Sequence, residues 1–261
     1  MKTYNFKYGH GSVSLSLNEA DILAELHGTE TPPISDIRSA LFASLEQPID
    51  SAPLRQRVRP GDRVALVISD MTRFWMRQDL VVPHLVDYLT QRCGVREDDI
   101  TIVIANGTHI GGDEQELRTL VTDAVYDRVK VKNHDCEAKD LVYLGTTPHG
   151  TPVSINRTAA LADMVICLGA ATHHVMAGFG GGRKSILPGI SSRETIFHNH
   201  AFSLDAAALR SNPAVGNGIL QGNPLHEDMC EAASLVKNLF MVNLVMNTQM
   251  RLAAIFSGHY L

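Results

Sequence analysis

The sequence predicts an α/β fold: an open, mostly parallel sheet flanked by helices, with a small β hairpin at the N-terminus. Short apolar runs closed by glycine or polar turn residues, at 63–69, 100–105 and 164–168, read as strands buried on both faces. Between them lie stretches whose apolar residues recur about once per helical turn. Strands that alternate with helices imply a mostly parallel sheet covered on both sides. Hydrophobic residues at 44% and charged residues at 20% of 261 positions suffice for a sizeable core and argue against disorder.

Residues 3–8 and 12–17 alternate polar and apolar side chains and predict the hairpin, turning through Gly9-His10-Gly11. Ser35 is a helix-capping residue type ahead of helical spacing through Phe42, so a helix is expected to begin there. Pro60-Gly61-Asp62 turns into the strand at 63–69, residues 81–92 read as a helix, and 100–105 as a second buried strand. A helix over 113–121 carries Asp113, Glu114 and Glu116 in its first turn, where the helix dipole favours acids. Short strands follow at 129–133, 141–144 and 151–155, with a hairpin over Pro148-His149-Gly150. The strand at 164–168 leads through a glycine-rich turn to a helix over 192–200. A helix over 224–236, capped by Asn223, and strands at 239–246 and 252–256 complete the set.

A net charge of -5 argues against nucleic-acid partners, which need clustered excess cations. No apolar run approaches the roughly 18 residues of a membrane span, and Met1-Lys2-Thr3-Tyr4-Asn5-Phe6 lacks a signal-peptide apolar region. A cytoplasmic location is therefore expected. Cys93, Cys136, Cys167 and Cys230 are widely separated, with no Cys-x-x-Cys pair for zinc or redox chemistry. Cys167, inside an apolar run, reads as a small buried hydrophobe.

Chemistry concentrates after the strand at 164–168. The segment from Ala170 to Ser185 holds His173, His174, Gly178, Gly180, Gly181, Gly182, Arg183 and Lys184, and His198-Asn199-His200 follows. A strand, a glycine turn and a helix are where α/β proteins offer backbone N–H groups to an anion. A nucleotide phosphate loop nevertheless fails, because Arg183 occupies the glycine position before Lys184-Ser185. The dinucleotide fingerprint fails too, its third glycine falling on Arg183 or Ser185. Two further polar blocks directly follow predicted strands: Asp70-Met71-Thr72-Arg73 after 63–69, and Asn106-Gly107-Thr108-His109 after 100–105. All three blocks thus sit at carboxyl ends of strands, where open α/β sheets bind ligands.

These blocks resemble the nickel-pincer lactate racemase family. The similarity lies in His-x-x-Ala-Gly-Phe-x-Gly-Gly-Arg-Lys-x-x-x-Pro-Gly from His174 to Gly189, in Asn199-His200, and in the two earlier blocks, all in the same order. The resemblance implies a cofactor, nickel pyridinium-3,5-bisthiocarboxylic acid mononucleotide, met by Lys184 and ligated through its metal by His200. It implies contacts to that cofactor from Asp70 and Thr72, a carboxylate clamp at Arg73, and acid/base roles for His109 and His174. It also implies that residues 1–261 are the N-terminal, cofactor-binding catalytic domain of a larger two-domain parent. A fragment of that kind is expected to be inactive alone.

Residue chemistry is compatible with these roles. Adjacent His173 and His174 cannot easily serve one point, and the spacing to Ala177-Gly178-Phe179 selects His174. His198 and His200, two apart on a helix, do not face each other, so one ligand is the sensible count. An imidazole suits nickel, and a sulfur-rich cofactor supplies the other ligands of a square-planar site. Arg183 beside Lys184 is expected to lower the lysine pKa and favour the nucleophilic amine. Gly180, Gly181 and Gly182 either expose N–H donors to the mononucleotide phosphate or let its ring lie close to the backbone. The expected activity is racemisation or epimerisation of a lactate-like 2-hydroxy acid by hydride transfer, with two histidines exchanging the hydroxyl proton. The small-molecule substrate and, transiently, the cofactor-making enzymes are the expected partners. Two alternatives stay open: a non-catalytic cofactor-carrying or regulatory domain, and a nickel-independent phosphate-binding transferase.

Overall fold

In the computed structural model, which describes residues 1–9 and 11–260, the alternating N-terminal segment forms the expected hairpin. Strands β1 (Lys2–Tyr8) and β2 (Gly11–Leu17) pair antiparallel, with Tyr4 opposite Leu15 and Phe6 opposite Val13. Because side chains alternate across a strand, these residues share one face, and Thr3, Asn5, Ser14 and Ser16 share the other. On that polar face Thr3 and Ser16 are joined through their hydroxyls at 2.8 Å, and Ser14 donates to Asn5 Oδ1 at 2.6 Å. The turn residue His10 lies outside the described residues. This hairpin and its following segment form one unit, Met1–Thr31; Pro32–Leu261 forms a second.

The second unit is built on a six-stranded sheet. Its strands are β3 (Val64–Ser69), β4 (Ile100–Ala105), β5 (Lys130–Asn133), β8 (Met164–Ala170), β9 (Leu239–Met246) and β10 (Leu252–Gly258). The spatial order is β10-β9-β8-β3-β4-β5. Every neighbour pair is parallel except β9 with the edge strand β10. A separate antiparallel pair, β6 (Val142–Thr146) and β7 (Pro152–Ile155), forms the expected hairpin.

Side chains of each central strand divide between two cores. Leu66, Ile68, Ile102, Ile104, Ile166 and Leu168 enter one, packed with α1 (Ile37–Glu46), α2 (Val82–Gln91) and α3 (Glu114–Val121). Ala65, Val67, Val103, Val165 and Cys167 enter the other, against α4 (Arg193–Ala201) and α5 (Pro224–Ser234). Helix α2 forms because Val82, Leu85, Val86 and Leu89 recur on one stripe, and all four are buried. Full burial of each such side chain contributes about 2 kcal/mol. Asn223 caps α5 as expected and Ser192 caps α4, whereas Asp113, expected inside the first turn of α3, is instead its cap, accepting from Glu116 N. The cap of α1 is a correction: Asp36, not Ser35, accepts from Ser39 N at 3.0 Å. An ionised carboxylate one residue further on satisfies the first-turn N–H better than the serine hydroxyl. All four cysteines are free thiols. No helix among the described residues is long and apolar enough to cross a membrane.

One polar hub joins α4, α5 and the β6–β7 hairpin. Asp228, fully buried, accepts from Thr147 Oγ1 at 2.6 Å, Thr151 Oγ1 at 2.9 Å and Asn199 Nδ2 at 2.7 Å. His149 and Glu231 lie close by, but His149 Nδ1 is taken up by Glu231 at 2.8 Å. These ligand-type groups are therefore spent on fastening the hairpin to α5. Replacing Asp228 by alanine removes the acceptor of both threonine hydroxyls and one of the two acceptors of Asn199 Nδ2, which keeps Leu225 O at 3.1 Å. We expect the Asp228→Ala variant to lose about 2–4 kcal/mol in urea unfolding, with an unchanged m-value.

Candidate active site

The three polar blocks converge at the carboxyl edge of β3, β4 and β8. A cavity of about 340 Å³ opens there, lined by Asp70, Arg73, His109, His174, Gly180, Gly181, Lys184 and His200. Of the residues expected from sequence, Thr72 and Gly182 stand just behind this wall. Asn106 of the second block also lines it, as do Trp75 and Phe197, which were not anticipated. The chain order explains the location: β4 lies on one side of β3 and β8 on the other. Such a topological switch point leaves a crevice above the strand ends.

Asp70 organises the first two blocks. Its Oδ1 accepts from Thr72 N at 3.1 Å and Thr72 Oγ1 at 2.6 Å, capping the turn Met71–Met76. Thr72 Oγ1 in turn accepts from Arg73 Nη1 at 2.7 Å. The second carboxylate oxygen, Oδ2, lies 2.5 Å from His109 Nδ1. That contact puts the ring proton on Nδ1 and leaves Nε2 as the nitrogen free for chemistry. Gly107 makes the approach possible. Its φ is +57°, a left-handed value that favours glycine, and its N–H donates to Gly189 O at 2.9 Å. Asn106 is buried, with Oδ1 accepting from His134 N at 3.1 Å.

The third block folds back on itself. His173-His174 pairs antiparallel with Gly178-Phe179, and the His173 ring lies 4.8 Å from that of Phe179, away from the cavity. His174 Nδ1 accepts from both Met176 N and Ala177 N, each at 3.1 Å. An imidazole nitrogen accepting two N–H groups carries no proton, so the neutral ring is protonated at Nε2. Nε2 lies 3.2 Å from Lys184 Nζ. This contact is a hydrogen bond only when Lys184 is the free amine, accepting from Nε2–H.

The electrostatics agree. Burial first, then Arg183 and Arg73, push the Lys184 ammonium down to about 8. Burial, reinforced by Lys184, Arg73 and His200, pushes His174 down to about 4. His200 is lowered by burial and by Lys184, with the Ile196 carbonyl opposing. The expected cause for Lys184 needs correcting in one respect: the neighbouring arginine contributes, but loss of water dominates. Arg183 itself is buried and faces the protein, donating Nη2 to Ala177 O at 2.7 Å and Phe179 O at 3.2 Å. Consecutive cations therefore serve opposite sides, one clamping the loop and one entering the cavity.

The glycines are needed for close approach. Gly180 donates to Thr172 O at 2.7 Å and Gly182 to Asn243 Oδ1 at 2.9 Å. Those two amides are therefore already engaged by protein acceptors. A Cβ on Gly180 would lie 3.1 Å from Ala170 O, and one on Gly181, at φ +72°, would lie 2.9 Å from the same oxygen. On α4 the two histidines separate as expected. His200 lines the cavity, whereas His198 Nδ1 lies 2.9 Å from Thr151 Oγ1.

Known proteins resemble this chain over most of its length. A profile of the lactate racemase N-terminal domain covers residues 8–211. The lactate racemase of Thermoanaerobacterium thermosaccharolyticum is 31% identical over 83% of this chain, and that of Lactiplantibacillus plantarum 32% identical over 82%. In each case the match spans 49% of the relative, so the chain covers about half their length. The apoprotein structure of the Thermoanaerobacterium enzyme superposes with a TM-score of 0.85 at 28% identity, covering 99% of this chain and 59% of that one. A Thermotoga maritima protein shares the fold, with a TM-score of 0.63 at 20% identity over 88% of this chain. On these matches the chain belongs to the lactate racemase N-terminal domain family.

Proposed function

We propose that this chain is the cofactor-holding and proton-handling half of a racemase acting on a lactate-like 2-hydroxy acid. The observation that carries the reading is the pair of differently set histidines on one cavity. His109 is tied to a carboxylate through Nδ1, and His174 is tied to backbone amides through Nδ1. Racemisation needs a proton acceptor and a proton donor for either enantiomer, which one imidazole alone does not supply.

The cavity residues suit a nickel pyridinium mononucleotide. Nδ1 of His200 is sealed from solvent with no well-formed partner, leaving Nε2 to meet the cavity, and burial keeps the ring neutral as metal ligation requires. Lys184, as a free amine, is set to attack or hydrogen-bond an acyl-type group. When bound, such a group supplies a hydride acceptor for the substrate's C2 hydrogen. Arg73 clamps the substrate carboxylate through its planar fork. His174, neutral above about pH 4, exchanges the hydroxyl proton on one side, after yielding Nε2 from Lys184. It donates while the ring proton is on Nε2, and accepts only once that proton has moved to Nδ1 and the two amides are released. His109 does so on the other side, and Asp70 acts by orienting it and stabilising its imidazolium. A phosphate-binding transferase is the weaker reading, because the Gly180 and Gly182 amides are spent within the protein.

Three outcomes test this. The chain produced together with cofactor-making enzymes should carry nickel, and His200→Ala should lose most of it with stability changed by less than about 1 kcal/mol. Elemental analysis and thermal melting measure the two, and retained stoichiometric nickel would remove His200 from the ligand role. In the whole protein, Asp70→Asn should lower turnover about 10- to 1,000-fold while keeping nickel, since it disturbs the base rather than the metal. The same protein racemising in deuterium oxide should keep protium at C2; extensive deuterium there would indicate a carbanion route instead.

A fourth outcome concerns pH. Lys184 should react with an acylating reagent with a midpoint near 8, against roughly 10.4 for an ordinary lysine. A folded-state pKa below the unfolded one means that the unfolded chain binds the extra proton. Stability therefore rises as pH climbs from about 8 towards about 10.4, and below 8 the buried lysine is a full liability. Lys184→Met should accordingly stabilise the fold at pH 7 by about 1–2 kcal/mol; a loss of stability there would contradict the sign.

A further inference from the structure

We propose that Asn243 is a positioning residue for Lys184, gripping the glycine loop and fixing where the lysine enters the cavity. The proposal rests on the reading of Lys184 as the cofactor-holding amine. Asn243 lies on β9, opposite Gly169 of β8 in the parallel ladder. Gly169 has no side chain, so the carboxamide can lie across it. A Cβ on Gly169 would come within 3.6 Å of Asn243 Oδ1 and 3.0 Å of Gly181 Cα. A Cβ on Gly181 would collide with the same Oδ1. Two glycines thus clear the space through which one carboxamide reaches the loop.

Its Oδ1 accepts the Gly182 N–H at 2.9 Å. Gly182 opens the short turn Gly182–Ser185, closed by Lys184 N donating to Gly181 O at 3.1 Å. The loop is otherwise anchored by Gly180 N on Thr172 O and by Arg183 on Ala177 and Phe179 carbonyls. Those anchors hold its outer side. Asn243 supplies the side-chain contact of the Gly182 amide to the end of the sheet, two residues before Lys184. Removing it frees the turn that keeps Lys184 Nζ beside His174 Nε2 and out of water.

The test uses the chain without cofactor and compares Asn243→Ala, Asn243→Leu and Asn243→Asp. Hydrogen exchange at the Gly182 amide reports the bond directly. Acylation of Lys184, read by peptide mass spectrometry against exposed Lys237, reports the lysine's setting. We expect Ala and Leu to speed Gly182 exchange at least tenfold. At pH 8 they should lower Lys184 acylation about tenfold, because a hydrated lysine is almost all ammonium there. At pH 11 the difference should vanish, and unchanged circular dichroism and thermal melting of the variants separate this from loss of folding. Asp, which keeps the acceptor, should restore Gly182 protection. Folded Ala and Leu variants with wild-type exchange and an unchanged acylation profile would overturn the proposal. A wild-type Lys184 that already behaves like Lys237 would instead overturn the reading of Lys184, while the exchange data would still judge Asn243.

Discussion

Two backbone N–H groups, those of Met176 and Ala177, converge on one nitrogen of His174, and the protonation of the cavity follows from that convergence. With Nδ1 occupied, the imidazole proton sits on Nε2, and Lys184 opposite must accept it as an amine. Burial and the neighbouring guanidinium groups press the same way. Above about pH 8 the lysine and the imidazole are therefore neutral together, and among the described residues no carboxylate is bonded to either. Asp70, the carboxylate lining the cavity, is occupied with His109 and Thr72. The two histidines therefore differ because one meets an acid and the other meets amides.

The sheet makes this arrangement affordable. Its central strands bury both faces, so the strand ends are fixed to within a side chain's reach of one another. Polar residues placed immediately after Ser69, Ala105 and Ala170 then have little choice of position. The cost of burying Lys184 and Arg183 falls on the core beneath. Arg183 meets that cost through carbonyl acceptors rather than a counter-ion.

Much of this was legible in the chain. Apolar runs closed by turn residues located the central strands of the sheet, and polar blocks directly behind three of them located the cavity. Local geometry limited each histidine pair to one inward-facing member, and the family resemblance chose His200 over His198 and His174 over His173. What stayed illegible depends on contacts between distant segments. Asn243 sits more than fifty residues beyond the glycine loop, inside an apolar strand where a lone polar residue carries no visible purpose. Trp75 and Phe197 reach the cavity through the tilt of a short turn and the rotation of a helix, neither of which has a sequence pattern. The dominant cause of the lowered Lys184 pKa was hidden for the same reason: burial is a property of the assembled site, whereas the adjacent arginine is visible in the chain. At α1 the capping residue type at Ser35 was visible, but that the carboxylate of Asp36 takes the first-turn N–H instead shows only in the folded chain.

The hub at Asp228 gives α4 a fixed azimuth. Successive helical residues turn by about 100°, so His198 and His200 point roughly opposite ways. A modest roll of the helix would withdraw the inner imidazole and bring neither histidine to the cavity. Asp228 resists that roll from outside, holding Asn199 directly and His198 through Thr151. The aim of the imidazole that faces the cavity is thus set by a carboxylate that never touches it. On the proposed reading of His200 as a metal ligand, coordination and fold stability are consequently not separable traits: what loosens the hub also detunes that imidazole.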